Sequence, residues 1–205
     1  MRIIIVDYGA GNIRSVERAV AHCGYDATIS SAPDVLEGAD VVIVPGVGAA
    51  ADTMRNLRER SLVEPIRSFV AGGRPYLGIC MGLQALLTAS EEGGEHACLD
   101  ILPGRVLRLP GGLKVPHMGW NHVRRRQPHP VFEGIPEDAR FYFVHSYFPA
   151  PDDGETVIGE TDYGVTFASA LARDNVIATQ FHPEKSGDVG LRFYRNFLDW
   201  AAGRR

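Results

Sequence analysis

The chain has 205 residues, of which 45% are hydrophobic, so it can bury a sizeable core and most simply forms one domain over residues 1–205. A formal net charge of −4 argues against a general nucleic-acid binder, and three widely spaced cysteines fit neither a disulfide framework nor a zinc site. We therefore expect a protein of the reducing cytoplasm, without a bound metal.

The chain begins with a buried strand pattern, Arg2 to Asp7, followed by a glycine turn and a helix pattern. Its apolar run is too short for a signal peptide or a membrane span, so we expect no membrane association. Gly9 and Gly11 start a dinucleotide-binding pattern, but the position of its third glycine holds Arg14, which is too large for close helix packing. We therefore predict a tight strand-to-helix turn and no cofactor.

Two more strands are predicted at 26–30 and 40–45, and two helices at 52–57 and 65–70. The third strand runs into Gly46-Val47-Gly48, a flexible loop at the carboxyl end of a strand. Backbone N–H groups of this loop and of Met81 could form an oxyanion hole. A glycine-rich turn without chemistry fits these residues equally well.

The next strand pattern, Pro75 to Ile79, passes abruptly into a helix predicted from Met81 to about Thr88, with Cys80 at the junction. Gly78 and Gly82 flank the cysteine in a G-x-C-x-G pattern, the thiol form of a nucleophile elbow. A helix N-terminus behind the sulfur would favour the thiolate. This short pattern alone leaves an inert buried cysteine as an open alternative.

From Leu99 onward the sequence becomes rich in short β patterns separated by Pro and Gly turns, which predicts additional strands on the same sheet. The basic run Arg124-Arg125-Arg126 is too short for a nucleic-acid patch and is predicted to be a solvated hairpin tip. Apolar residues at helical spacing from Leu191 to Ala201 predict a C-terminal helix that packs on the sheet.

A candidate base for Cys80 follows a strand pattern near the C-terminus. His182 lies at the end of this strand and Glu184 two residues later, so the two side chains can point the same way. The carboxylate could then orient the imidazole while the other ring nitrogen faces the thiol. Together the residues predict a nucleophile, a base and an orienting group.

Two motifs, Leu77 to Gln84 and Phe181 to Glu184, resemble those of the class I (triad) glutamine amidotransferases without a substitution. This resemblance implies an α/β, flavodoxin-like fold: a central, mostly parallel sheet flanked by helices, with additional strands in the C-terminal half. It also implies that L-glutamine is hydrolysed to glutamate and ammonia, with Cys80 as nucleophile, His182 as base and Glu184 as its orienting group. No cofactor is implied.

The resemblance extends beyond these two motifs. Within the family, the chain resembles the members that pass ammonia through a channel to a separate (β/α)₈ cyclase subunit. It implies that the oxyanion and substrate contacts come from eight residues: Gly46, Val47, Gly48, Met81, Gly82, Gln84, Ser146 and Tyr147. It further implies that four residues face the partner: Asn12, Met118, Trp120 and Lys185. The expected assembly is a heterodimer.

Two other functions remain open at this stage. A stand-alone cysteine hydrolase of γ-glutamyl compounds would share the elbow and the base, but it would work without a partner. A flavodoxin-like binding module would share only the fold, and replacement of Cys80 or His182 would leave its function unchanged.

Overall fold

The structure, a computed structural model, describes residues 1–203. The helices are α1 (Ile13–His22), α2 (Ala50–Glu59), α3 (Val63–Ala71), α4 (Met81–Gln84) and α5 (Gly187–Ala202). The strands are β1 (Ile3–Val6), β2 (Ala27–Ser30), β3 (Val41–Val44), β4 (Tyr76–Ile79), β5 (Ala89–Ser90), β6 (His96–Ala97), β7 (Gly104–Arg108), β8 (His117–His122), β9 (Arg124–Arg125), β10 (Arg140–His145), β11 (Tyr147–Pro151), β12 (Val157–Asp162), β13 (Thr166–Arg173) and β14 (Val176–Thr179).

An eight-stranded sheet forms the centre of the molecule, in the order β2-β1-β3-β4-β14-β13-β12-β9. The first five strands are parallel and the last three are antiparallel. Strands β1, β3, β4 and β14 are buried at every position, as continuous apolar runs covered on both faces should be. The predicted α/β architecture with a mostly parallel sheet is therefore confirmed.

Helices cover both faces of this sheet and divide the core into two layers. Helices α1 and α5 pack on one face, where Val20, Phe193 and Phe197 are fully buried. Helices α2 and α3 pack on the other through Leu57 and Phe69. Among residues 1–203, no helix is long and apolar enough to cross a membrane.

The C-terminal strands do not all join the central sheet, and this part of the prediction was wrong. Strands β12, β13 and β9 extend it, whereas β8 pairs with β10 in a separate ribbon and β7 and β11 belong to a four-stranded sheet with β5 and β6. Burial alternates along β10, and a strand with only one apolar face fits a ribbon lying on the core better than the middle of a doubly covered sheet.

The arginine run is an edge strand rather than a hairpin tip. Residues Arg124 and Arg125 pair with β12, and the guanidinium groups of Arg124 and Arg126 each lie 2.8 Å from a carboxylate oxygen of Glu160. Charged side chains at a sheet edge discourage pairing with another chain. The sequence prediction missed Glu160, which lies far along the chain.

Helix α4 ends at Gln84, whereas the sequence predicted a helix to about Thr88. Backbone carbonyls beyond α4 bond to a distant segment: Leu99 N–H donates to the Ala85 carbonyl, and Ile101 N–H donates to that of Leu86. These carbonyls are therefore not available to amides four residues further along a helix. A short helix followed by turns results.

Candidate active site

Cys80 lies at the turn between β4 and α4 with φ of 54°, a left-handed conformation that is strained for a residue with a side chain. The flanking glycines make this turn possible. A Cβ atom on Gly78 would lie 2.6 Å from the Gly82 carbonyl oxygen, and one on Gly82 only 1.8 Å from the Val44 oxygen. Strand and helix thus approach too closely for any larger residue at either position.

His182 directly precedes a short 3₁₀ turn that carries Glu184, and the side chains of both residues are fully buried. His182 Nδ1 lies 2.8 Å from Glu184 Oε1. The amide Nδ2 of Asn12 donates to the same carboxylate oxygen over 2.7 Å. The carboxylate is therefore held from two sides, by the imidazole and by a residue at the start of α1.

The other ring nitrogen of His182, Nε2, is buried and forms no hydrogen bond of ordinary length. Burial lowers the pKa of His182, but the charge of Cys80, followed by hydrogen bonding to Glu184 and its charge, outweighs this effect and raises the pKa to about 10. The imidazole is thus positively charged at neutral pH when it faces a thiolate. This is the charge state needed to donate a proton to a leaving group.

A cavity of about 440 Å³ opens beside the sulfur of Cys80. Eight of the residues predicted for the site line it: Val47, Gly48, Cys80, Met81, Gln84, Ser146, Tyr147 and Lys185. Gly46 and Gly82 were predicted to contact substrate but do not line this cavity. Both glycines instead lie in close contact with neighbouring residues. A Cβ on Gly46 would lie 2.6 Å from that of Met81, and one on Gly82 would clash with the Val44 carbonyl.

Gln84 presents an unused acceptor at this cavity. Its Nε2 donates to the Tyr147 carbonyl and to Gln180 Oε1, each over 2.9 Å, which occupies both hydrogens of the amide. Its Oε1 is buried without a partner. A buried acceptor without a partner is costly unless a ligand supplies a donor.

Sequence reasoning missed three polar residues of this site: Gln180, Glu92 and His145. Gln180 donates from Nε2 to Cys80 Sγ over 3.5 Å, and Glu92 and His145 line the cavity. Glu92 lies in the loop between β5 and β6, and its carboxylate accepts from the first N–H of α2 over 2.6 Å. One indication of Gln180 was present in the sequence: it is a polar residue at the end of the apolar strand pattern that precedes His182.

The four residues predicted to face a partner fall into two groups. Met118 and Trp120 are 61% and 52% exposed on one face of β8, and Lys185 is exposed at the cavity. Asn12 is only 7% exposed. Its side chain points inward to Glu184, because the short turn after β1 brings the start of α1 beside the 3₁₀ turn. A contact of Asn12 with a partner stays a prediction.

The described part of the chain contains no group of three or more His, Cys, Asp or Glu side chains that could hold a metal ion. The polar groups beside the sulfur include the imidazole of His182 and the amide of Gln180. This set suits acyl transfer through a thiolate.

Comparison with known proteins identifies relatives of the whole chain. The family model "Glutamine amidotransferase class-I" matches residues 4–200. The imidazole glycerol phosphate synthase subunit HisH of Dehalococcoides mccartyi strain CBDB1 is 51% identical over 98% of both chains, and the HisH subunit of Syntrophotalea carbinolica is 51% identical over 96% of this chain and 99% of its own. A chain from the structure of PurLQS from Thermotoga maritima shares the fold, with a TM-score of 0.77 at 18% identity over 97% of this chain and 98% of its own.

Proposed function

This chain belongs to the class-I glutamine amidotransferase family, and from that premise we propose how its own residues perform the reaction. Relatives named HisH, with half of their residues identical over nearly the whole chain, indicate a glutamine amidotransferase of histidine biosynthesis. The observation that carries the proposed mechanism is the buried pairing of His182 with Glu184 beside a strained cysteine.

In the first step, the Cys80 thiolate attacks the carbon of the glutamine side-chain amide and forms a tetrahedral intermediate. Backbone N–H groups of Met81 and of Val47 and Gly48, the part of the glycine loop that lines the cavity, stabilise its oxyanion, and removal of one such donor typically costs about 3–4 kcal/mol. His182 donates its proton to the leaving nitrogen, so the C–N bond breaks and ammonia leaves a thioester on Cys80.

In the second step, His182 is neutral and accepts a proton from water as the water attacks the thioester. The C–S bond breaks, glutamate leaves, and the imidazolium and thiolate are regenerated. Glu184 orients the ring throughout and favours its protonated form, while Asn12 holds the carboxylate in place.

The cavity offers complementary groups for a free amino acid. Glutamine carries both an ammonium and a carboxylate group, and the cavity is lined by the carboxylate of Glu92 and the ammonium of Lys185. We assign the unpartnered Oε1 of Gln84 to an N–H of the substrate. Ser146 and Tyr147 complete the substrate contacts, and Gly82 contributes by allowing the elbow to close.

The expected acceptor of ammonia is a cyclase subunit, HisF, with a (β/α)₈ barrel, which would convert PRFAR to imidazole glycerol phosphate and AICAR. The ring centres of Trp120 and Tyr142 lie 6.0 Å apart, and Lys185 Nζ lies 5.9 Å from the centre of the Tyr142 ring. The exposed face of Met118 and Trp120 is therefore continuous with the cavity mouth. A partner seated there would shield ammonia from water, which would otherwise protonate it.

The test is glutamate release from glutamine by the purified chain, alone and with the cyclase subunit plus its ribonucleotide ligand. We expect little activity alone, a large increase in the complex, and loss of activity in Cys80→Ala. Full activity alone, unchanged by the partner, would identify an independent hydrolase. Activity retained in Cys80→Ala would overturn the mechanism. We also expect the complex to form in the cytoplasm, without membrane or nucleic acid.

A further inference from the structure

Gln180 is a fully buried amide that contacts the nucleophile. It follows β14, and its backbone N–H donates to the Ser169 carbonyl over 2.9 Å. Its side chain spans the gap between two residues of the site, with Nε2 at 3.5 Å from Cys80 Sγ and Oε1 at 2.9 Å from Gln84 Nε2. Neither end of the amide faces solvent.

The orientation of this amide follows from its neighbours. Gln84 Nε2 can only donate, and it donates to both the Tyr147 carbonyl and Gln180. The group of Gln180 that faces it must therefore be the oxygen, which leaves the nitrogen against the sulfur. A flipped Gln180 would oppose two donors at one end and place its oxygen on the thiolate at the other.

The Tyr147 carbonyl that fixes Gln84 is itself held from the ribbon of β8 and β10. His145 Nδ1 lies 2.8 Å from this carbonyl, which can only accept, and His145 Nε2 lies 2.9 Å from His117 Nδ1. His117 Nε2 in turn accepts from Asn121 Nδ2 over 3.2 Å. Every bond in this chain has one permitted direction, so the chain ends on a single orientation of Gln180.

We propose that Gln180 is a positioning residue for the nucleophile, whose amide N–H holds the Cys80 sulfur as a thiolate facing His182, and that Gln84 and the Tyr147 carbonyl fix this amide. The inference rests on the proposed function, because it assigns Gln180 to the same reaction. A hydrogen bond to a charged sulfur is stronger than one to a neutral thiol, so the contact favours the reactive form.

The test is the rate at which iodoacetamide alkylates Cys80 as a function of pH, followed by mass spectrometry of the Cys80 peptide. Gln180→Met keeps an unbranched side chain of similar length but removes the donor. We expect the midpoint of the alkylation profile to rise by about one to two pH units, the size expected for a lost hydrogen bond to a charged group. An unchanged midpoint would overturn the proposal.

Other titratable groups near the sulfur stay in place in this variant. His182 and Tyr8 interact with Cys80 electrostatically, and the cavity is also lined by Glu92, His145, Tyr147 and Lys185. The matched control is Asn175→Ala, which removes two hydrogen bonds, one buried and one partly buried, at the opposite end of the same strand. It should lower thermal stability and leave the alkylation profile unchanged.

A second variant covers the case in which Gln180→Met does not fold. Gln84→Met retains Gln180 but removes the donor that fixes its oxygen, so we expect a smaller upward shift of the same midpoint. No shift would overturn the proposal in this variant too. Alkylation needs no glutamine, so its profile tests the positioning of Cys80 independently of whether the chain proves to be a glutaminase.

Discussion

Two buried histidine sites near the same cavity differ in charge: one is positively charged at neutral pH and the other is neutral. The pKa of His182 is raised to about 10, whereas burial lowers that of His145 to about 3 and that of His117 to about 4. Burial acts against the charged form at all three residues. The difference comes from the partners: His182 faces a carboxylate and a sulfur, and His145 faces a backbone carbonyl and a second imidazole.

Hydrogen-bond length does not distinguish these two sites. His182 Nδ1 lies 2.8 Å from Glu184, and His145 Nδ1 lies 2.8 Å from the Tyr147 carbonyl. A full negative charge on the acceptor stabilises an imidazolium, whereas a carbonyl dipole only selects the tautomer of a neutral ring. The first site can transfer a proton and the second can hold backbone in place.

The largest expected effect comes from lowering the pKa of His182, so that its charge state becomes more like that of the neutral His145 and His117. Glu184→Gln preserves the shape of the side chain but removes its charge, so the pKa of His182 should fall, while the larger contribution of Cys80 remains. The imidazolium, which in the parent persists as pH rises toward 10, would then lose its proton at a lower pH. We expect glutamate release by the complex to fall at least about 10²-fold.

The measurement is kcat/KM for glutamate release in the complex across a pH series. Glu160→Gln is the matched control, since Glu160 is a carboxylate that pairs with Arg124 and Arg126 away from the cavity. It should behave like the parent chain. Parent-like activity in Glu184→Gln would show that the charge of this carboxylate is not needed.

A smaller effect should follow from loosening the carboxylate without removing it. Asn12→Ala deletes the 2.7 Å hydrogen bond to Glu184 Oε1. We expect glutamate release to fall about tenfold, the equivalent of one hydrogen bond to a charged group, with little change in affinity for the cyclase. Weaker cyclase binding at unchanged kcat would instead support the partner-facing role predicted from the sequence.

Local patterns explain which parts of this molecule could be predicted. Continuous apolar runs identified the parallel strands, and two short motifs identified the turn at Cys80 and the pair His182 and Glu184, because each depends on neighbours close in sequence. The roles of these three residues stay predictions until variants are measured.

Features that depend on distant residues were missed. Helix α4 ends at Gln84 because residues 99–102 bond to the carbonyls after it, and Asn12 turns inward because Glu184, 172 residues away, accepts from it. Gln180 acquires its role only when Gln84 and Cys80 are brought to its two ends. Local spacing contains none of these contacts.

The smallest effect concerns stability rather than catalysis. Because its pKa is lowered, folded His145 stays neutral in mild acid while the unfolded chain takes up a proton, so stability falls as pH drops below about 6.5. His145→Gln removes this titration. Between about pH 7 and 5 we expect the parent's Tm to drop by about 4–8 °C more than that of the variant, which corresponds to about 2 kcal/mol.

His182→Gln is the control that separates the two histidine sites in this measurement. His182 has a raised pKa, so below about pH 6.5 it is protonated in both the folded and the unfolded chain and adds no pH dependence there. The Tm of His182→Gln should therefore follow the parent's slope on acidification, whatever its absolute value. Parallel curves for His145→Gln and the parent would mean that His145 takes up a proton in the folded state, and the contrast between the two sites would fail.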